Sequence, residues 1–203
     1  MKILLTGFNP FGTVKINPSQ LVVETLAQRP ARPLGADLVT EILPTAYIEA
    51  GDRITHLIRH HRPDSIICLG VAEGTPAIRL ERVALNLDDA ELPDNTGLLR
   101  QGSPIVLDGP AAYWSTLPLE QMRRALARQG IPAAISNHAG TYLCNHVFYR
   151  ARHEVEQLRL PSPCGFIHLP ALLEPAAGRV PPAPGLPLAV MLEAIDCCLN
   201  FAF

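Results

Sequence analysis

Cys144 lies within Ser136–Tyr149, SNHAGTYLCNHVFY, where one sequence pattern gives way to another. Ala133–Ile135 is a short apolar run and reads as a buried strand. Ser136-Asn137-His138-Ala139-Gly140 breaks it with turn formers. From Thr141 the spacing becomes helical, with Leu143, Val147 and Phe148 able to share a face. Unpaired N–H groups at a helix start carry partial positive charge. Such a setting favours the thiolate, the nucleophilic form of cysteine. A buried structural cysteine fits the same pattern, because free cysteine is among the most buried residues.

Two further reactive types fall near this part of the fold. His168 ends the apolar run Gly165–Pro170, GFIHLP, just before Pro170 stops the strand ladder. Glu81 lies in an apolar stretch with Arg82 beside it. Such neighbours are usually at the surface or paired with each other, since isolated buried charge is costly. Cysteine hydrolysis needs a base beside the thiol, a group that orients the base, and N–H donors for the oxyanion. Cys144, His168 and Glu81 supply those three side-chain types, recognised by role rather than order. Spacing alone leaves this beside the structural reading, because many α/β proteins carry a Cys and a His near strand ends.

The elements that must position them follow in order. Lys2–Thr6 is a continuous apolar strand of the kind buried in a parallel sheet. Gly7-Phe8-Asn9-Pro10-Phe11-Gly12 is a loop beyond it, where open α/β sheets bind ligands. Phe8 and Phe11 either line a site there or cap the core. Thr13-Val14 replace the Lys-Ser/Thr of a phosphate-binding loop, which excludes that motif. A helix runs from Asn17-Pro18-Ser19 to about Gln28, and Asp37–Leu43 is a second strand. Ala46–His61 is an amphipathic helix with Ile48, Ile54, Leu57 and Ile58 inward and His56, His60 and His61 solvated. Asp64–Gly70 is a third strand, with Cys68 in the core. Val71–Gly102 reads as a long connection with little regular structure, more often functional than idle. Pro118–Gln129 is a helix ended by Gly130, and the Cys144 helix runs to about Leu158. Tyr113 and Trp114 read as packing residues, with a substrate entrance or an oligomer contact as the alternative uses. Leu173–Pro187 is a proline- and alanine-rich loop. Leu186–Phe203 is a helix whose Glu193, Asp196 and Asn200 share one face, so it packs on the sheet rather than spanning a membrane. Alternating strands and helices predict one α/β domain over residues 1–203, with a mainly parallel sheet whose carboxyl ends share one edge.

The chain has 203 residues, 48% of them hydrophobic, enough for one full core. A net charge of −2 offers no electrostatic case for nucleic acid or an anionic membrane. The five cysteines have no zinc-like spacing, and Met1–Thr6 reads as a strand rather than a signal peptide. Together these predict a reducing, cytoplasmic setting.

Four blocks in order resemble pyroglutamyl peptidase I, a cysteine peptidase family: TGFNPFG with NPS, ERVALNLDDAELPDNTG, SNHAGTYLCNHVFY and GFIHLP. They span most of the chain from Met1 to about Pro170, and the CNH and FIH blocks are the specific ones. The resemblance implies a three-layer α/β/α sandwich around a twisted, mostly parallel mixed sheet. It implies removal of N-terminal pyroglutamyl residues from peptides, no cofactor, and a homo-oligomer, dimer or tetramer. It makes Cys144 the nucleophile, His168 the general base and then acid, and Glu81 the group orienting the imidazole. Phe8 and Phe11 become the aromatic pair around the flat lactam, which suits apolar faces with a few in-plane hydrogen bonds. Asp94 matches a family position near the site.

The chain departs from the family pattern at Val71, where glutamine is usual, at Thr75 and Glu91, where arginine is usual, and at His138. Lost donors motivate a second reading, a diverged member that binds pyroglutamyl-like ligands with little turnover. A third reading places a metal among His138, Cys144, His146 and His168, but their spacing is not that of standard ligands.

Overall fold

The computed structural model describes residues 1–12, 15–29, 35, 37–173 and 184–201. The apolar runs form the inner strands β1 (Lys2–Phe8), β3 (Ser65–Val71) and β8 (Cys164–Leu169), buried along nearly their whole length. β2 (Asp37–Leu43), β4 (Ile78–Glu81) and β7 (Ala133–Ser136) complete a six-stranded sheet in the order β2-β1-β3-β8-β4-β7. The first four strands of that order are mutually parallel. β4 runs antiparallel to β8 and parallel to β7. Outside this sheet, β5 (Val83–Leu85) pairs with β6 (Ala112–Trp114), and β9 (Ala171–Leu172) with β10 (Gly185–Leu186).

Helices cover both faces of the sheet. α1 (Pro18–Ala27), α3 (Leu119–Arg128) and α5 (Leu188–Leu199) pack over one core, and α2 (Tyr47–His61) and α4 (Leu143–Gln157) over the other. Successive strand residues point to opposite faces. Leu5, Ile67 and Ile167 therefore join the first core, and Leu4, Ile66 and Phe166 the second. Burying each such side chain contributes about 1.5–3 kcal/mol. The result is the expected three-layer sandwich around a mixed, mostly parallel sheet.

Several expectations need correction. Val71–Gly102 is not without regular structure, because it contains β4, a strand of the main sheet, and β5. β7 does not share the direction of β8, so the strand preceding Cys144 ends toward the opposite edge. The turn at 137–142, with Gly140 at φ 78°, carries the chain back. α4 starts at Leu143 rather than Thr141. Ile48 is 62% exposed, because the inward stripe of α2 is Tyr47, Ala50, Gly51, Ile54, Leu57 and Ile58. Trp114 is 65% exposed and does not serve as packing, whereas Tyr113 lies against Tyr149 and His153. The proline-rich segment keeps a short parallel pairing at Gly185–Leu186; its residues 174–183 lie outside the described residues, as do Thr13, Val14 and 202–203. α5 packs on its own sheet as expected, and Asp196 pairs with Arg29. No helix among the described residues is long and apolar enough to cross a membrane.

Residues 86–103 act as a strap across the start of α4. Buried Asn145 accepts from the Leu85 amide at 2.8 Å and donates to the Leu85 and Leu87 carbonyls, each at 2.9 Å. The Thr141 hydroxyl donates to the Asp89 carbonyl, and the Tyr142 hydroxyl to that of Pro93. Asp94 closes the strap: its carboxylate accepts from the Thr96 hydroxyl and from the amides of Tyr47, Thr96 and Leu98. It thereby caps α2, whose Ala46 has no side chain to do so. Burial raises the Asp94 carboxyl pKa, but these four donors outweigh burial and hold it below the ordinary value.

Asp94→Ala should cost about 2 kcal/mol, a Tm loss of roughly 4–8 °C in a chain this long. A carboxyl with a depressed folded pKa stabilises fully above its unfolded value, about 3.9. That contribution disappears as pH falls through the folded value. Calorimetry should therefore show a larger deficit at pH 7 than at pH 3.

Candidate active site

The site is built on the sheet face turned toward α4. Antiparallel register sets Arg79 opposite His168 and Glu81 opposite Phe166. With a side-chain period of two, Arg79, Glu81, Phe166 and His168 all project from that face. Glu81 and His168 are diagonal neighbours across the strand pair, within reach of long side chains. Parallel register places Gly70 of β3 beside His168 on its other flank.

Glu81 Oε1 lies 2.8 Å from His168 Nδ1, and the two residues are 0% and 6% exposed. The ring N–H donates to the carboxylate, which leaves Nε2 as the other working nitrogen. Burial alone would lower the imidazole pKa. Cys144, through its charge and a hydrogen bond, and then Glu81 outweigh burial and raise it to about 9. Glu81 Oε2 is buried without a partner among the described residues. Arg79 Nε approaches Glu81 Oε1 at 3.5 Å, and Arg79 Nη2 donates to the Ser136 hydroxyl at 2.7 Å. Arg82 turns instead to Asn137, at 2.8 Å. Glu81 and Arg82 are thus not paired with each other, and Glu81 is not at the surface.

Cys144 is the second residue of α4. The Tyr142 cap makes no side-chain hydrogen bond to the helix start. First-turn amides beside the sulfur lack intrahelical acceptors and carry partial positive charge. The thiol is half-buried, in contrast to Cys68 and Cys164, which are fully buried. Burial pushes the Cys68 thiol up to about 12 and the Cys164 thiol higher still, so both are inert core residues.

Two depressions meet at Cys144. One is a recess of about 240 Å³, lined by Phe8, Phe11, Val71, Tyr142 and Cys144, with Asn17 and Thr45 as its polar members. The other is a more open groove of about 640 Å³ that shares Phe11, Val71, Tyr142 and Cys144 and adds Arg79, His138 and His168. Phe8 is 3% exposed and belongs to the core as well as to the recess, so the two readings of that ring are both met. The loop carrying both rings is tied down at several points. The Phe8 amide donates to the Ser19 hydroxyl, Asn17 donates to the Asn9 carbonyl, and the Thr45 amide donates to Asn9 Oδ1. Asn95, in the strap, donates to the Pro10 carbonyl.

The structure brings Cys144, His168, Glu81, Phe8 and Phe11 to one place. It does not bring Asp94 there; that carboxylate is spent on the strap. Thr75 lines neither depression, and its hydroxyl accepts from the Ala77 amide. Glu91 is exposed and lines neither depression. Buried His146 pairs with Asp88 at 2.9 Å, and Arg100 joins the same carboxylate at 3.0 Å. No group of three or more metal-ligating side chains occurs among the described residues. Gly70 and Tyr142 were not singled out as site residues by the sequence. Alternation in Ile78-Arg79-Leu80-Glu81 was the available signal for Arg79, since it puts both charged residues on one strand face.

A family model described as pyroglutamyl peptidase matches residues 1–203. The pyrrolidone-carboxylate peptidase of Bacillus licheniformis is 41% identical over 194 residues, covering 96% of this chain and 88% of that protein. That of Alkaliphilus oremlandii is 44% identical over 179 residues, covering 88% and 83%. Among solved structures, pyroglutamyl peptidase I of Bacillus amyloliquefaciens superposes with a TM-score of 0.91 at 39% identity, covering 99% of this chain and 96% of that one. A mutant pyrrolidone carboxyl peptidase of Pyrococcus furiosus gives 0.94 at 36%, covering 100% and 98%.

Gly70 supplies the sharpest steric test of this geometry. A Cβ there would lie 2.8 Å from Cys144 Sγ and 2.8 Å from Phe166 Cζ, closer than real contacts allow. Gly70→Ala must displace the sulfur or the ring packed beside His168. A displacement near 1 Å should cost about 10²-fold in kcat/KM, measured on protein whose circular dichroism remains native.

Proposed function

The chain belongs to the pyroglutamyl peptidase family, and on that premise we propose that Cys144, His168 and Glu81 form the catalytic triad of a cysteine exopeptidase. It removes an N-terminal pyroglutamyl residue from peptides. The observation that carries this reading is the Glu81–His168 bond, buried and placed beside the half-buried Cys144.

The lactam ring enters the recess between Phe8, Phe11 and Tyr142, apolar surfaces suited to a flat neutral ring. The Cys144 sulfur attacks the pyroglutamyl carbonyl carbon, whose oxygen becomes an oxyanion beside the first-turn amides of α4. Collapse breaks the C–N bond. The leaving amine takes a proton from His168 Nε2, and a thioester remains on Cys144. Water then attacks the thioester while His168 accepts its proton. The thiol is restored and pyroglutamate leaves. Glu81 holds the Nδ1–H tautomer and stabilises the imidazolium in both halves. His168, with its pKa raised to about 9, is largely protonated at neutral pH. It is therefore ready to donate to the leaving amine.

Residues 1–203 act as a single catalytic domain without a cofactor, in the cytoplasm and as a homo-oligomer. All five cysteines are free thiols, which suits a reducing compartment. Exposed Trp114 and Leu107 give apolar surface for a second copy to cover.

A chromogenic pyroglutamyl amide should be hydrolysed, and alkylation of one thiol should abolish the activity. Cys144→Ala should lower kcat on the order of 10⁶-fold, while Cys68→Ala and Cys164→Ala remain active. Calorimetric binding of pyroglutamate by native protein that releases no chromophore between pH 6 and 9 would favour the non-hydrolytic binder instead.

A further inference from the structure

Resting on the peptidase reading, we propose that Arg79 selects for a carboxylate on the leaving side of the scissile bond. The carboxylate is either the free C-terminus of a pyroglutamyl dipeptide or an acidic side chain on the residue after pyroglutamate. Cys144 is shared by the recess and the groove, but His168 and Arg79 line only the groove. A substrate with its ring in the recess and its carbonyl at the sulfur must send its leaving half into the groove, past His168. Arg79 stands directly opposite His168 in the β4–β8 ladder, so its guanidinium borders that path.

The guanidinium is oriented but not used up. Nη2 donates to the Ser136 hydroxyl, and Nε faces Glu81 at 3.5 Å. Nη1 has no partner among the described residues, and the side chain is 37% exposed. Glu81 Oε1 serves both Arg79, at 3.5 Å, and the His168 ring, so one carboxylate is divided between two cationic groups and the outer edge of the guanidinium stays open. No acidic side chain among the described residues lines the groove, and its other polar members include His138. A cationic groove without an acid is complementary to an anion. Arginine held along one edge and free along another matches a carboxylate better than it matches a neutral amide. Val71 and Ala72 also line the groove and offer no competing side-chain donor.

The test compares kcat/KM for four substrates in two pairs. Pyroglutamyl-alanine is set against its C-terminal amide, which isolates the terminal carboxylate. Pyroglutamyl-glutamate amide is set against pyroglutamyl-glutamine amide, which isolates a side-chain carboxylate. The wild-type protein should prefer the charged member of at least one pair by roughly tenfold, and added salt should shrink that preference. In Arg79→Gln the ratio should fall to about one, and in Arg79→Lys it should be intermediate. The ratio within one variant does not depend on how much of it is folded. Equal rates within both pairs for the wild type, or a preference that persists in Arg79→Gln, would overturn the proposal. Cleavage of none of the four, nor of the chromogenic amide, would instead overturn the peptidase reading on which it rests.

Discussion

One buried bond organises this protein: the His168 ring donating to Glu81 at 2.8 Å on a sheet face sealed by α4. An ionised carboxylate without exposure is tolerated only when it is paired. His168 supplies that pair, and Cys144 lies on the far side of the ring's charge. The bond is made across the antiparallel β4–β8 pair. That direction sets Arg79 opposite His168 and Glu81 one diagonal away, both on the face turned toward α4. Glu81 Oε2, without a partner among the described residues, is a cost of this arrangement. Buried polar atoms left without partners mark places where the fold serves something other than stability.

Around the bond, separate devices remove freedom from the parts that must meet. Gly70 lets the Cys144 sulfur and the Phe166 ring approach β3 closely. Asn145 and Thr141 lash the strap to the beginning of α4. Asp94 and Asn95 carry the same strap across to α2 and to the loop holding Phe11. The Asp88–His146–Arg100 cluster adds a second buried charge group beneath it. Each contact is modest alone, but together they hold Cys144, His168 and the recess at Phe8 and Phe11 in place before any ligand arrives. Preorganisation of this kind is where much of an enzyme's rate advantage resides.

Much of this was legible in the sequence. The apolar runs of β1, β3 and β8 announced inner strands, and the helical spacing after Gly140 placed Cys144 at a helix start. Types and positions brought Cys144, His168 and Glu81 forward only as candidates, and it was the family resemblance that joined them with Phe8 and Phe11 in one site. What stayed hidden depends on pairing between distant segments. β4 is four residues long with two charges on one face, so its pattern resembles an exposed stretch more than a central strand. Strand direction leaves no local mark, which is why the shared carboxyl edge was wrong for β7. The contact that requires Gly70, the partner of His146 and the strap role of Asp94 all span dozens of residues. Ile48 misled because one helix turn carries apolar residues on two faces, and only packing decides between them.

The central claim is that Cys144 and Glu81, on either side of the ring, together sustain a charged His168. Nitrogen-15 NMR of the imidazole across a pH series tests it directly, in the wild-type protein and in Glu81→Gln. The wild-type ring should stay protonated through neutral pH and titrate near 9, and the variant should titrate clearly lower. A ring that titrates at the ordinary histidine value, about 6.5, and does not move in Glu81→Gln would contradict the account.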